Sequence, residues 1–291
     1  MFSGSLVALV TPFSNGRLDE PALRRMVDFQ IEHGTNGLVP VGTTGESPTL
    51  SEAEHKRVIE VVVEQAAGRV RVLAGAGSNN PIESIEYARC AEEAGADGAL
   101  VVVGYYNRPS QEGIYRHFEM LHNETNIPLV VYNIPPRAVV DVSSETMARL
   151  AALDRVVGVK DATGNLGRVS EERQRIGDDF AYLSGDDITA VAYNAVGGKG
   201  CISVTGNVLP AECAAMQAAC ERGDFAAARA IHDQLVPLHL ALFTEPSPAG
   251  AKYAASLLGL CEEESRLPIV AVSEATRHAI RAGLEHAGVS L

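Results

Sequence analysis

Short runs of consecutive apolar residues recur along the chain, and each is followed by a longer segment whose apolar residues repeat at helical spacing. Such runs are typical of parallel strands covered on both faces, whereas the longer segments predict amphipathic helices. Eight runs are rich in Val, Ile and Leu, at residues 6–10, 37–41, 70–74, 98–103, 128–132, 156–160, 181–184 and 200–204. This alternation predicts eight strand–helix units.

Capping residues predict where the first two helices begin. Segment 19–33 carries apolar residues on one helical face, with Asp19 suited to cap it and Pro21 just inside its first turn. A second helix is predicted to begin after Ser51, because Glu54 stands three residues later and completes a capping box. These signals place one helix between the first two strands and another after the second strand.

The eight units favour an α/β fold, a closed (β/α)8 TIM barrel, over residues 1–223. A doubly wound open sheet is the alternative, but Gly75-Ala76-Gly77 is not followed by the third glycine of a dinucleotide-binding loop. Residues 224–291 have helical patterns at 225–239, 249–258 and 273–286. No linker separates them from the barrel, so they predict a C-terminal helical appendage.

Composition and charge narrow the class of protein. Hydrophobic residues make up 46% of the 291 residues, and no stretch reaches the roughly 18 apolar residues of a membrane span. Lys and Arg number 24 against 37 Asp and Glu, and this net charge of −13 argues against nucleic acid or an anionic membrane as a partner. The N-terminus lacks the basic segment of a signal peptide, so a cytoplasmic protein is expected.

Cysteine and histidine spacing gives no sign of a metal site. The five scattered cysteines form no CxxC pair, which predicts reduced thiols. His117 and His122 are five residues apart and do not share a helix face. We therefore expect neither a metal nor a redox cofactor.

Lys160 stands out among the four lysines, because it ends the sixth apolar run. Barrel enzymes place their chemistry at the C-terminal ends of strands, and apolar walls there disfavour the ammonium form. A neutral lysine amine attacks ketones and gives a Schiff base. An ion pair with the adjacent Asp161 is the alternative interpretation. Lys252 is predicted to begin an apolar helix and Lys56 to be solvated.

Tyr132 and Arg137 follow the preceding strand. Tyr132 ends that run, so its phenol is expected beside Lys160, where it can shuttle protons to and from a carbinolamine. Arg137 follows two prolines, and a guanidinium held over the barrel mouth is suited to bidentate carboxylate binding. A packing tyrosine and a surface arginine are the alternatives.

Polar residues also follow the second and fourth strands. Thr43 and Thr44 lie between glycines and can offer hydroxyls and consecutive backbone N–H groups to a small carboxylate, although an ordinary tight turn uses the same glycines. Tyr105 and Tyr106 place two phenols at the same rim. Their common position after parallel strands favours one shared site.

The motifs that contain these residues resemble the dihydrodipicolinate synthase / N-acetylneuraminate lyase family of Schiff-base pyruvate aldolases over essentially the whole chain. The matching segments are Gly42-Thr43-Thr44-Gly45-Glu46-Ser47, Tyr105-Tyr106-Asn107-Arg108-Pro109, Tyr132-Asn133-Ile134-Pro135 and Gly158-Val159-Lys160-Asp161-Ala162-Thr163-Gly164. The paired threonines and Arg137 are similar to the synthase branch of that family.

The resemblance implies a role for each catalytic residue. Lys160 would form the Schiff base with pyruvate. Thr43, Tyr106 and Tyr132 would form a proton relay, with Tyr106 supplied by a neighbouring subunit of a homotetramer that is a dimer of dimers.

The resemblance also implies how substrates are bound. Thr44 would bind the pyruvate carboxylate, the Ile202 backbone would contact pyruvate, and Gly185 would line the pocket. Arg137 would hold the carboxylate of L-aspartate 4-semialdehyde.

The implied reaction is the first committed step of lysine and diaminopimelate biosynthesis. A sister aldolase for sialic acid or a 2-keto-3-deoxy sugar acid, and a silent pyruvate or lysine sensor, are the alternatives.

A regulatory L-lysine pocket of the family is matched in part, at Ser47, His55, Asn79, Glu83 and Tyr105. The chain departs from the enterobacterial-type pattern at Pro48 and Glu52, and Glu52 replaces a histidine. Two further departures, Gly104 and Pro136, bear on loop rigidity and remove no reactive group.

Overall fold

The computed structural model describes residues 2–291 and contains ten strands in that range. Their bounds are β1 Gly4–Ala8, β2 Phe13–Ser14, β3 Arg17–Leu18, β4 Gly37–Val39, β5 Arg71–Gly75, β6 Gly98–Val102, β7 Leu129–Asn133, β8 Val156–Asp161, β9 Ala181–Ser184 and β10 Gly200–Ser203. Eight of them correspond to the predicted apolar runs, with ends that agree within two residues. The other two, β2 and β3, form a short antiparallel hairpin.

The eight remaining strands close into a parallel barrel in the order β1-β10-β9-β8-β7-β6-β5-β4. Closure occurs because β1 is paired on one side with β10 and on the other with β4. The predicted (β/α)8 barrel is therefore confirmed, and the open sheet is wrong.

Twelve α-helices surround or extend the barrel within residues 2–291. Their bounds are α1 Glu20–Glu32, α2 Glu52–Ala66, α3 Pro81–Ala94, α4 Gln111–Glu124, α5 Pro135–Ala138, α6 Ser144–Ala151, α7 Gly167–Ile176, α8 Ala190–Ala195, α9 Pro210–Glu221, α10 Phe225–Leu242, α11 Ala249–Leu257 and α12 Glu274–His286. The Asp19 carboxylate caps α1, and Ser51 and Glu54 form the predicted capping box of α2. None of these helices is long and apolar enough to cross a membrane.

The outer faces of the strands pack against the surrounding helices, one further apolar core fills the barrel, and another lies in the C-terminal region. The barrel interior is filled by side chains from the strands, including Leu73, Leu100, Val130 and Leu183. The C-terminal core joins α10, α11 and α12, so the three predicted C-terminal helices are confirmed and pack on one another. The predicted boundary at residue 223 falls between α9 and α10. All five cysteines are free thiols.

Candidate active site

Lys160 and Tyr132 are neighbours on adjacent barrel strands. They are register partners of β8 and β7, and both are almost completely buried, with 5% and 6% of their surfaces exposed. The Lys160 Nζ lies 4.2 Å from the centre of the Tyr132 ring. The sequence-based expectation that the phenol lies beside the amine is confirmed.

Asp161 does not pair with Lys160. Successive strand residues point to opposite faces, and the Asp161 Oδ1 accepts a hydrogen bond of 2.8 Å from the Thr163 N–H on the far side. Burial raises the pKa of Asp161. Within residues 2–291, Lys160 forms no ion pair with any carboxylate, so the alternative interpretation as a rim ion pair is wrong.

Gly185 leaves room for the lysine side chain. It follows β9, and a methyl group at this position would lie 3.1 Å from the Lys160 Cε and 3.0 Å from the Ala162 Cβ. Contacts this short force a neighbour to move. Ile202 of β10 is 1% exposed and packs in the same interior cluster as Tyr132.

A tight turn after β4 presents the two threonines. The Gly45 N–H donates to the Gly42 carbonyl over 3.1 Å, and the Glu46 N–H donates to the Thr43 carbonyl over 3.1 Å. The N–H groups of Thr43 and Thr44 donate to no other group of residues 2–291. Thr44 is 5% exposed and Thr43 is half-buried. The turn therefore offers two consecutive N–H groups, the arrangement that binds a small anion.

The tyrosine pair follows β6 in an irregular loop. Tyr106 has a left-handed φ of +65° and is 88% exposed, so its side chain does not pack within its own loop. Asn107 steadies the loop, because its Nδ2 donates to the Asn79 carbonyl over 2.8 Å.

Arg137 lies on the single helical turn α5, directly after the two prolines. Its guanidinium is exposed and forms no ion pair within the described residues. Arg137 and Thr43 line one cavity of about 400 Å³. A cationic group and a hydroxyl group from two different strand ends thus face one cavity, as the sequence analysis expected.

The same cavity extends to four of the five residues matched to the regulatory pocket, which are Ser47, His55, Glu83 and Tyr105. Burial lowers the pKa of His55, whose Nε2 lies 2.9 Å from the Gly75 carbonyl oxygen. Asn79 is not part of this cavity and lines a neighbouring one of about 300 Å³.

Two buried polar groups near the site were not predicted from the sequence. The Asp187 carboxylate accepts hydrogen bonds from the N–H groups of Val204 and Thr205, which fixes the chain just after β10. Lys252 was expected only to begin an apolar helix, but it is completely buried and forms an ion pair with Glu46. A charged residue in the otherwise apolar segment 249–258 was the available signal for the second group.

Histidines and acids do not converge on a metal site in the described chain: no group of three or more His, Cys, Asp or Glu side chains in residues 2–291 is arranged to hold a metal ion. Burial lowers the pKa of His117 to about 4. His122 lies next to Arg155, at 3.5 Å from its guanidinium.

Comparison with known proteins supports the family resemblance of the sequence motifs over nearly the whole chain. The model of the dihydrodipicolinate synthetase family matches residues 1–287. The 4-hydroxy-tetrahydrodipicolinate synthase of Rhodopseudomonas palustris (strain BisA53) is 58% identical over 288 residues, which is 99% of this chain and 97% of the relative.

Two solved structures are closely similar. The crystal structure of dihydrodipicolinate synthase from Aquifex aeolicus has a TM-score of 0.96 at 45% identity, covering 98% of this chain and 97% of the other. The chloride-inhibited dihydrodipicolinate synthase from Acinetobacter baumannii, complexed with pyruvate, has a TM-score of 0.97 at 39% identity and covers 100% of both chains.

Proposed function

Because the chain belongs to the dihydrodipicolinate synthetase family, we propose that it condenses pyruvate with L-aspartate 4-semialdehyde to give 4-hydroxy-tetrahydrodipicolinate. The single observation that carries the mechanism is the buried Lys160 amine, free of any carboxylate partner in residues 2–291 and packed against Tyr132. The names of the relatives favour this synthase over a sister sugar-acid aldolase.

Lys160 is the proposed nucleophile. Its neutral amine adds to the C2 ketone of pyruvate, and loss of water from the carbinolamine gives an imine. The imine acidifies the C3 methyl group, and removal of one C3 proton gives an enamine. Tyr132 is placed to deliver and accept the protons of these steps, because its phenol belongs to the side chain in contact with the amine.

The enamine C3 then forms a bond to the aldehyde carbon of the semialdehyde, whose oxygen takes up a proton. The amino group of that substrate adds to the imine carbon and displaces the Lys160 amine, which closes a six-membered ring. The enzyme is thereby returned to its starting state, and no oxidant or reductant is consumed.

Substrate binding is assigned to the turn and to the rim. The N–H groups of the Thr43–Thr44 turn are free to bind the pyruvate carboxylate, and the Ile202 backbone is proposed to contact pyruvate as well. Arg137, exposed and unpaired in the described chain, would bind the carboxylate of the semialdehyde as a bidentate partner.

Tyr106 is proposed to complete the relay of a neighbouring subunit in a homotetramer. Its 88% exposure supports this, since a large aromatic side chain so exposed is suited to an interface.

The cavity beside Arg137 is proposed to bind L-lysine through Ser47, His55, Glu83 and Tyr105, with Asn79 nearby. Glu52 stands where the enterobacterial-type pattern has a histidine, so no imidazole is present at that position. The Glu52 carboxylate is exposed and pairs with Lys56 over 2.6 Å.

Reduction with borohydride in the presence of pyruvate tests the proposal. Intact mass should increase by one pyruvate-derived group per chain, and peptide mapping should place it on Lys160. Turnover should then be measured with the semialdehyde and with a sialic acid as alternative substrates. Labelling at another lysine, or turnover only with the sugar acid, would contradict the proposed function.

A further inference from the structure

We infer that the buried ion pair between Glu46 and Lys252 is the device that holds the Thr43–Thr44 turn in place, so that the C-terminal helical region positions the proposed pyruvate-binding site. This inference rests on the proposed function of that turn. Glu46 is the last residue of the turn, and Lys252 lies in α11 of the C-terminal region.

The backbone conformation of Glu46 indicates that its side chain is needed. Its φ of +56° is left-handed, a conformation that favours glycine and is costly for other residues. Glycine precedes it at position 45, yet position 46 carries a long acidic side chain. A strained residue of this kind persists only where its surroundings hold it.

The Glu46 carboxylate is buried against groups of the C-terminal region. The side chain is 2% exposed, its Oε1 faces the Lys252 ammonium, and its Oε2 accepts a hydrogen bond of 2.8 Å from the Arg266 N–H. Both of these partners lie in the C-terminal part of the chain. The Glu46 carboxylate is therefore bound from one side only, by that region.

Lys252 is equally well enclosed. It is completely buried, its Nζ donates to the Glu264 carbonyl over 2.6 Å, and it lies 4.1 Å from the centre of the Phe13 ring. Burial lowers the pKa of Lys252, and the adjacent Glu46 opposes that change. An ammonium with these contacts has little freedom to follow a moving carboxylate.

Glu46 is joined to the rest of the turn by a backbone hydrogen bond as well as by the chain itself. The Glu46 N–H donates to the Thr43 carbonyl over 3.1 Å, and the Thr11 hydroxyl donates to the adjacent Gly45 carbonyl over 2.7 Å. A shift of Glu46 therefore moves the carbonyl of Thr43 and, with it, the two free N–H groups. Glu46 and Lys252 are positioning residues in this scheme, since neither is proposed to touch a substrate.

Buried ion pairs add little net stability, and isosteric neutral replacements are often tolerated, whereas removing one partner alone leaves a buried charge. The double variant E46Q/K252M removes both charges at similar volume. We expect it to keep a melting temperature near that of the wild type. The pyruvate concentration for half-maximal imine formation should nevertheless rise at least about tenfold, because the turn is no longer held.

Two further variants complete the test. E46D keeps both charges but shortens the side chain, and it should also raise the half-maximal pyruvate concentration. R277M is the matched control. Like Lys252, Arg277 lies over an aromatic ring, that of Tyr253, and it forms an ion pair with Glu263 inside the C-terminal region. It should lower the melting temperature without changing the pyruvate response.

The readout is borohydride trapping at graded pyruvate concentrations, followed by intact mass, with thermal unfolding measured on the same samples. A wild-type pyruvate response in either E46D or the double variant overturns the inference. Absence of imine in the wild-type protein would instead overturn the proposed function, so the two failures are distinguishable.

Discussion

Tyr132 and Lys160 are register partners at the ends of β7 and β8, and the Lys160 Nζ lies over the tyrosine ring at 4.2 Å from its centre. A parallel register brings these strand ends together regardless of loop conformation. The pair is thus held by the pairing of two barrel strands, and its geometry should persist when rim loops move.

Replacement of Lys160 by alanine should abolish pyruvate-dependent labelling by borohydride. Lys160→Arg should be equally inactive, since the guanidinium stays protonated and cannot attack a ketone. Lys56→Ala is the control, because Lys56 is half-buried and paired with the exposed Glu52, and it should label normally. Labelling of the Lys160→Ala protein at wild-type stoichiometry would contradict the assignment.

Replacement of Arg137 by alanine should reduce turnover with the semialdehyde by about two orders of magnitude, because a charge-assisted contact to its carboxylate contributes a few kcal/mol. Imine formation with pyruvate should survive. Arg116→Ala removes an exposed arginine that pairs with Glu112 and Glu119, and it should leave both activities unchanged. Unchanged kinetic constants for the semialdehyde in Arg137→Ala would favour a sister aldolase.

Tyr106 permits a complementation experiment. Chains carrying Tyr106→Phe and chains carrying Lys160→Ala should each be impaired, by about 10²-fold or more for the tyrosine. Hybrids should contain one site with an intact lysine and an intact tyrosine. The activity of the mixed chains should therefore exceed the sum of the activities of the two separate mutants. If verified hybrids reach only that sum, Tyr106 acts within its own chain.

Gly185→Ala should slow imine formation, because the added methyl group would lie 3.1 Å from the Lys160 Cε. We expect a reduction of about tenfold or more, consistent with displacement of a nucleophile by a fraction of an ångström. Gly167→Ala is the control, since its methyl group would meet only the Asn165 side chain at 3.4 Å. Single-turnover labelling of both proteins makes the comparison, and equal rates would exclude Gly185 from the site.

His117 should make the fold sensitive to acid. Its pKa is lowered by burial to about 4, so between pH 6.5 and 4 the unfolded chain binds a proton that the folded chain does not. Stability should therefore fall as the pH falls through this window, by up to about 3 kcal/mol from this residue. His117→Gln should flatten the dependence seen in urea unfolding, whereas His278→Gln, at an exposed position, should not.

The features of the fold and the site that depend on local sequence pattern could be predicted from the sequence. The eight strands were recognisable because each is a short apolar run, and the contact of Tyr132 with Lys160 followed from neighbouring strand ends. Lys252 was misjudged because its partner Glu46 lies near the other end of the chain, and no local pattern reports a contact made by tertiary folding. The separation of Asn79 from the cavity depends on loop conformation, which the sequence pattern does not specify.

Closure of the barrel between its first and last strands has a consequence for the order of assembly. During synthesis, β1 emerges early but cannot complete its pairing until β10 has followed it, since Gly4 pairs with Gly200 and Leu6 with Ile202. Contacts of such long sequence separation form slowly. The edge of β1 that faces β10 therefore stays unpaired until residues 200–203 have been synthesised, and an unpaired strand edge is prone to aggregation.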